Sequence, residues 1–89
     1  MSAGNDALRA RYERVMMPTY AVPPLAVVSG SGAVVQDADG ASYLDLVAGI
    51  AVSSLGHAHP ALVAAVGEQV ARIAHTSNLL VNLPSVRLA

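Results

Sequence analysis

Two turn signals in close succession constrain this chain more than any other feature. Ser29-Gly30-Ser31-Gly32 and Asp37-Ala38-Asp39-Gly40 separate three short runs, Leu25-Ala26-Val27-Val28, Ala33-Val34-Val35-Gln36 and Ser42-Tyr43-Leu44-Asp45-Leu46. Glycine reaches left-handed backbone without steric cost and aspartate bonds nearby amides, so both signals reverse the chain. Short valine-rich runs divided in this way read as strands. The spacing therefore predicts a small antiparallel three-stranded meander. Gly30-Ser31-Gly32 also has the composition of a phosphate cradle. It links two strands, however, and lacks the following helix whose N-terminus would meet an anion.

Helices are predicted on both sides of the meander. From Asn5 to Met17, Leu8, Tyr12 and Val15 recur at helical spacing, with Asn5 or Asp6 as cap. Arg9 and Glu13 stand four apart and are expected to pair. Pro18 stops this helix, and Pro23 and Pro24 keep the next residues extended or turned. A second helix is predicted from Pro60 to about Ala74. Pro60 suits its first position, and Leu62, Val63, Val66, Val70 and Ile73 make one apolar face. Glu68 and Arg72 are expected to pair opposite that face, and Gly67 within the helix implies close packing there. Between strand and helix, Val47–Leu55 is apolar and small, so periodicity leaves a buried loop and a strand equally open. Pro84 opens a third helix, and the sequence stops one turn later. That ending leads us to expect a segment of a longer protein.

Composition narrows the function classes. Of 89 residues, 54% are hydrophobic and 12% charged, too apolar for a solvated disordered chain. There is no Phe and no Trp, so a free-standing core of this size would lack its usual large side chains. The absence of cysteine excludes disulfides and thiolate zinc sites. A net charge of −1 without a basic run gives nucleic acid and anionic membranes nothing to bind. No apolar run reaches membrane-spanning length, and the first residues lack the order of a signal peptide, so a cytoplasmic protein is expected. All five basic residues are arginine; without lysine, these residues cannot form a Schiff base.

The chemical candidates are few. His57 and His59 flank Ala58 in Gly-His-Ala-His-Pro, a spacing that serves metals on a strand. A zinc site needs three or four ligands, and His75, Asp45 and Glu68 stand at no recognised spacing from the pair. Closure of the entry to the Pro60 helix explains the two histidines better than a His-x-His metal site. Ser53, Ser54 and Ser77 lack a nucleophile motif. Asp37 and Asp39 are turn residues. Asp45 is either exposed on its strand or bonded to a neighbouring loop.

In sum these segments resemble a family. A proline-bracketed Tyr20, the Gly30-Ser31-Gly32 turn, Val35-Gln36-Asp37-Ala38-Asp39-Gly40, Tyr43-Leu44-Asp45-Leu46, Gly49-Ile50-Ala51-Val52, Leu55-Gly56-His57-Ala58-His59-Pro60 and Ser77-Asn78-Leu79 follow in order. From about Met17 onward the chain is similar to the N-terminal region of class III (subgroup II) pyridoxal-phosphate aminotransferases, nearest to their acetylornithine branch. The resemblance implies an α+β piece of a fold type I transferase. Residues 1–17 would be a helical arm, 18–59 the meander and interface loop of the small domain, and 60–89 a helix starting toward a large domain. It implies amino transfer between N-acetylornithine and 2-oxoglutarate in arginine biosynthesis, by a homodimer carrying pyridoxal 5'-phosphate.

No catalytic or cofactor-binding residue of that family falls within these positions. Tyr20, Ile50, Ser53, Ser77 and Asn78 match positions that approach the substrate pocket. Isoleucine at 50 fits acetylornithine enzymes, where ornithine enzymes have tyrosine; Ser53 departs from the asparagine common at its position. The alternatives are another ω-aminotransferase acting on ornithine, succinylornithine or 4-aminobutyrate, a non-catalytic interaction module, and a small metal protein.

Overall fold

A computed structural model describes residues 3–89. The chain forms two compact units, one ending at His59 and one running Pro60–Ala89.

The first unit is helix α1 (Ala3–Val15), a sheet of β1 (Val27–Ser31), β2 (Val34–Asp37) and β3 (Ser42–Leu44), and a short turn α2 (Ala48–Ala51). The strands lie in the order β1-β2-β3, both pairs antiparallel, which is the meander expected from the turn signals. The first reversal comes later than the glycines implied. Ser29, Gly30 and Ser31 belong to β1, and the chain turns at Gly32-Ala33, where Gly32 takes φ +58°. Register shifts between Val27 and Ser29, so β1 carries a bulge. β3 ends at Leu44, which leaves Asp45 beyond the strand.

Helix α1 begins two residues before its expected cap. Asn5 lies inside it and, among the described residues, is one of two buried polar ones, at 3% exposure; the other is Asp37, also at 3%. The Asn5 amide donates to Asp37 Oδ2 at 2.9 Å, and its Oδ1 accepts from the Ala26 amide at 3.2 Å. Capping falls to Asp39, whose carboxylate accepts from the Gly4 and Asn5 amides at 2.9 and 3.3 Å. Arg9 donates through Nε to the Pro23 carbonyl at 2.9 Å, tying the helix to the proline segment. Neither Arg9 with Glu13 nor Glu68 with Arg72 closes to ion-pair distance among the described residues, where His57–Asp45 is the pair formed. Both expected pairs were exposed i,i+4 contacts, which are weakly favoured and salt-screened.

The second unit is helix α3 (Pro60–Arg72), an irregular stretch, and helix α4 (Leu83–Leu88). Asn82 caps α4, its Oδ1 accepting from the Ser85 amide at 3.1 Å, with proline following in the first turn. The expected close packing at Gly67 is not found: a Cβ built there meets nothing within 4 Å. Among the described residues no hydrophobic side chain is buried, and the α3 face from Leu62 to Ile73 is at least 45% exposed at every apolar position.

Candidate functional site

In the first unit two of the candidate residues, Ile50 and Ser53, fall within Val47–Ser53. This stretch is neither of the expected forms. It is a left-handed turn on the surface, with Ala48, Gly49, Ile50 and Ala51 at φ 51°, 62°, 63° and 62°. Ala51 and Val52 donate to the Val47 and Ala48 carbonyls at 2.9 and 2.8 Å, and Ser53 also donates to Ala48 at 2.9 Å. The turn brings Ile50 and Ser53 onto one short segment and leaves Ile50 87% exposed.

Asp45 precedes the turn. Its Oδ1 accepts from the Val47 and Ala48 amides at 3.1 and 2.9 Å, and its Oδ2 lies 2.6 Å from His57 Nε2. The Ala48 amide, then the His57 contact, holds the Asp45 carboxyl below its ordinary value. With Asp45 ionised, His57 Nε2 is the donor. His57 also exchanges backbone hydrogen bonds with Gly32, at 2.8 and 2.9 Å. Gly56, at φ +76°, makes that approach possible: a Cβ there would stand 2.9 Å from the Gly32 carbonyl oxygen. Of the two histidines, His57 is thus bridged to the turn between β1 and β2, while His59 immediately precedes α3. No group of three His, Asp or Glu side chains among the described residues is arranged to hold a metal ion.

Tyr20 stands on the proline segment at 82% exposure, so it is not packed among the prolines. A separate carboxylate centre joins this unit's helix to its hairpin. Asp37 accepts from Asn5, from the Tyr43 hydroxyl at 2.9 Å, and from the Asp39 and Ala41 amides at 2.9 Å each. These donors, Asn5 foremost and against the opposing effect of burial, lower its pKa to about 2. The same bond raises the Tyr43 phenol above its ordinary value.

In the second unit, Ser77 and Asn78 line a cleft of about 330 Å³ with Gln69, His75, Thr76 and Asn82. Ser77 takes φ +61°. Asn82 donates to Thr76 Oγ1 at 3.2 Å, which fixes the cleft wall to the start of α4. The structure therefore pairs Ile50 with Ser53, and Ser77 with Asn78, each within its own unit. Sequence reasoning missed the link from Asp45 to His57. Its signal was an aspartate directly after a strand and a histidine after a glycine, at a separation no motif records.

Residues 15–89, well over half of the chain, match the model of the family described as aminotransferase class-III. The chain belongs to that family. An acetylornithine aminotransferase of Mycolicibacterium smegmatis is 56% identical over 82 residues, covering 92% of this chain and 21% of the relative. Among solved structures, an ornithine aminotransferase from Toxoplasma gondii superposes with a TM-score of 0.84 at 31% identity, covering 99% of this chain and 21% of that one. An N-acetylornithine aminotransferase from Stenotrophomonas maltophilia gives 0.77 at 39% identity, over 90% and 20%. The chain thus spans about a fifth of the length of the relatives it matches. The residues present do not fit a pyridoxal-phosphate site: without a lysine amine there is no group here to hold the cofactor as a Schiff base.

Proposed function

We propose that this chain is the N-terminal segment of an acetylornithine aminotransferase. The whole enzyme would move an amino group between N-acetylornithine and 2-oxoglutarate, in arginine biosynthesis, as a cytoplasmic homodimer dependent on pyridoxal phosphate. The observation that carries this reading is the agreement in sequence with acetylornithine aminotransferases along nearly the whole chain. The missing lysine and the uncovered apolar faces support a segment that does not catalyse alone. Its parts would be the N-terminal arm of residues 1–17, of which 1 and 2 lie outside the described residues, the sheet and interface loop of 18–59, and the helix of 60–89 that starts toward the large domain. Tyr20, Ile50, Ser53, Ser77 and Asn78 are proposed to border the substrate pocket, Ile50 favouring the acylated substrate where a tyrosine would favour free ornithine.

A second reading, an ornithine aminotransferase, draws on the likeness of the backbone to the Toxoplasma enzyme. Kinetics of the full-length protein separate the two. The expected result is turnover of N-acetylornithine with 2-oxoglutarate and a cofactor absorbance band. Preference for ornithine or 4-aminobutyrate over N-acetylornithine would replace the first reading with the second or with another ω-aminotransferase.

A further inference from the structure

The left-handed turn is the longest run of left-handed backbone among the described residues, and the residues that hold it lie outside the proposed pocket set. Left-handed helical backbone costs an L-residue roughly 1–2 kcal/mol, and Gly49 is the only glycine among the four. Three such residues within four positions, Ala48, Ile50 and Ala51, persist only where their surroundings over-determine them. The bonds within the turn do not account for its hand, since a right-handed turn would form equivalent ones.

Asp45 and His57 account for it. Asp45 is pinned to the turn between β1 and β2 by its own amide, which donates to the Ala33 carbonyl at 2.7 Å. From that fixed point one carboxylate oxygen accepts the first two amides of the turn, and the other meets His57 on the returning segment. His57 is itself fixed by its backbone exchange with Gly32. One side chain thus ties the start of the turn to its exit, and both ends are anchored on the Gly32-Ala33 turn that joins β1 to β2.

We propose that Asp45 and His57 are positioning residues, which lock the left-handed turn so that Ile50 and Ser53 are held in one place at the substrate pocket. This rests on the reading of the chain as part of an acetylornithine aminotransferase. Neither residue needs to touch substrate; their effect passes through the turn.

The test uses the full-length holoenzyme and three variants. Asp45→Ala removes the acceptor of both amides; Asp45→Asn keeps an oxygen for them; His57→Ala keeps both amide bonds and cuts only the tie to the exit. In Asp45→Ala, kcat/KM for N-acetylornithine is expected to fall roughly tenfold to a hundredfold, mainly through KM and with cofactor absorbance retained. Asp45→Asn should recover most of that loss. Amide exchange at Val47–Ser53 should quicken in Asp45→Ala and, less, in His57→Ala, while Val34–Asp37 stays protected. Unchanged exchange at Val47–Ser53, or a rise in His57→Ala that is equally large at Val34–Asp37, overturns the proposal, as does an Asp45→Asn enzyme as damaged as Asp45→Ala. If the unmodified enzyme transaminates no amino acid, the functional reading fails, and exchange at Val47–Ser53 alone decides whether the lock exists.

Discussion

Among the described residues, the unit ending at His59 and the unit beginning at Pro60 both lack a buried hydrophobic side chain, yet they hold their loops by different means. In the first, three aspartates gather donors from segments distant in sequence. Asp37 reaches Asn5, Asp39 reaches the first turn of α1, and Asp45 reaches His57. In the second, the side-chain hydrogen bonds seen among the described residues are local: Gln69 donates to Ile73, Thr76 to Ser77, Asn82 to Thr76, and the Ser85 amide to Asn82. Charge-assisted bonds are individually stronger than neutral ones, and those spanning many residues restrain more of the chain. The first unit therefore carries a polar framework of its own, whereas the second leaves its apolar helix face exposed.

The largest effect should come from breaking that framework at its centre. Asp37→Ala strands Asn5 and releases the Tyr43 hydroxyl and two amides together. An unpartnered buried amide is costly, so protection of the α1 and β2 amides should fall about a hundredfold, with α3 unaffected. Equal losses in both units would erase the contrast between them. The same centre sets a pH response. Folding lowers the Asp37 pKa from 3.8 to about 2. Its contribution is therefore complete above the ordinary value and lost as pH falls toward the folded one. Tyr43 acts at the other extreme: its pKa is raised by folding, so its contribution is present below the ordinary phenol value and lost as pH climbs past it. Exchange followed against pH should show the α1–hairpin contact loosening at both ends of the range.

A smaller effect is expected where the backbones meet. Gly56→Ala places a Cβ 2.9 Å from the Gly32 carbonyl oxygen and forces alanine to φ +76°. Strain and clash together should cost about 2 kcal/mol, read as a lowered denaturation midpoint. An unshifted midpoint would mean that the Gly32–His57 bridge yields freely and contributes little to the first unit.

Much of this architecture is legible in the sequence because local chemistry determines it. Aspartate and glycine in fixed order announce the meander, and Pro60 with an apolar stripe announces α3. What escaped is set at a distance. Asn5 has the chemistry of a cap, and its amide is instead claimed by Asp37, 32 residues away. Val47–Leu55 carries no preference for a left-handed turn, since alanine and isoleucine disfavour one; the hand is imposed by Asp45 and His57. The candidate site is legible in the same uneven way. Its residues are proposed from their order along the chain, but their grouping into a turn and a cleft, and the aspartate behind the turn, depend on contacts between separated segments.

The smallest effect is also the most informative about the second unit. Gly67 lies four residues after Val63 and three before Val70, on the apolar stripe of α3. In this chain its surroundings are open, so Gly67→Ala should follow intrinsic propensity alone and favour the helix by about 1 kcal/mol, measured as increased helix content of the 89-residue chain. In the full-length enzyme the stripe is expected to be covered, and a glycine between two valines is where another backbone can approach closely. There the added methyl should meet a neighbour and lower the denaturation midpoint, reversing the sign. Stabilisation in both settings would mean that α3 stays bare at Gly67 in the complete protein. The second unit would then owe nothing to a partner at that point, and its difference from the first would lie in the number of polar ties alone.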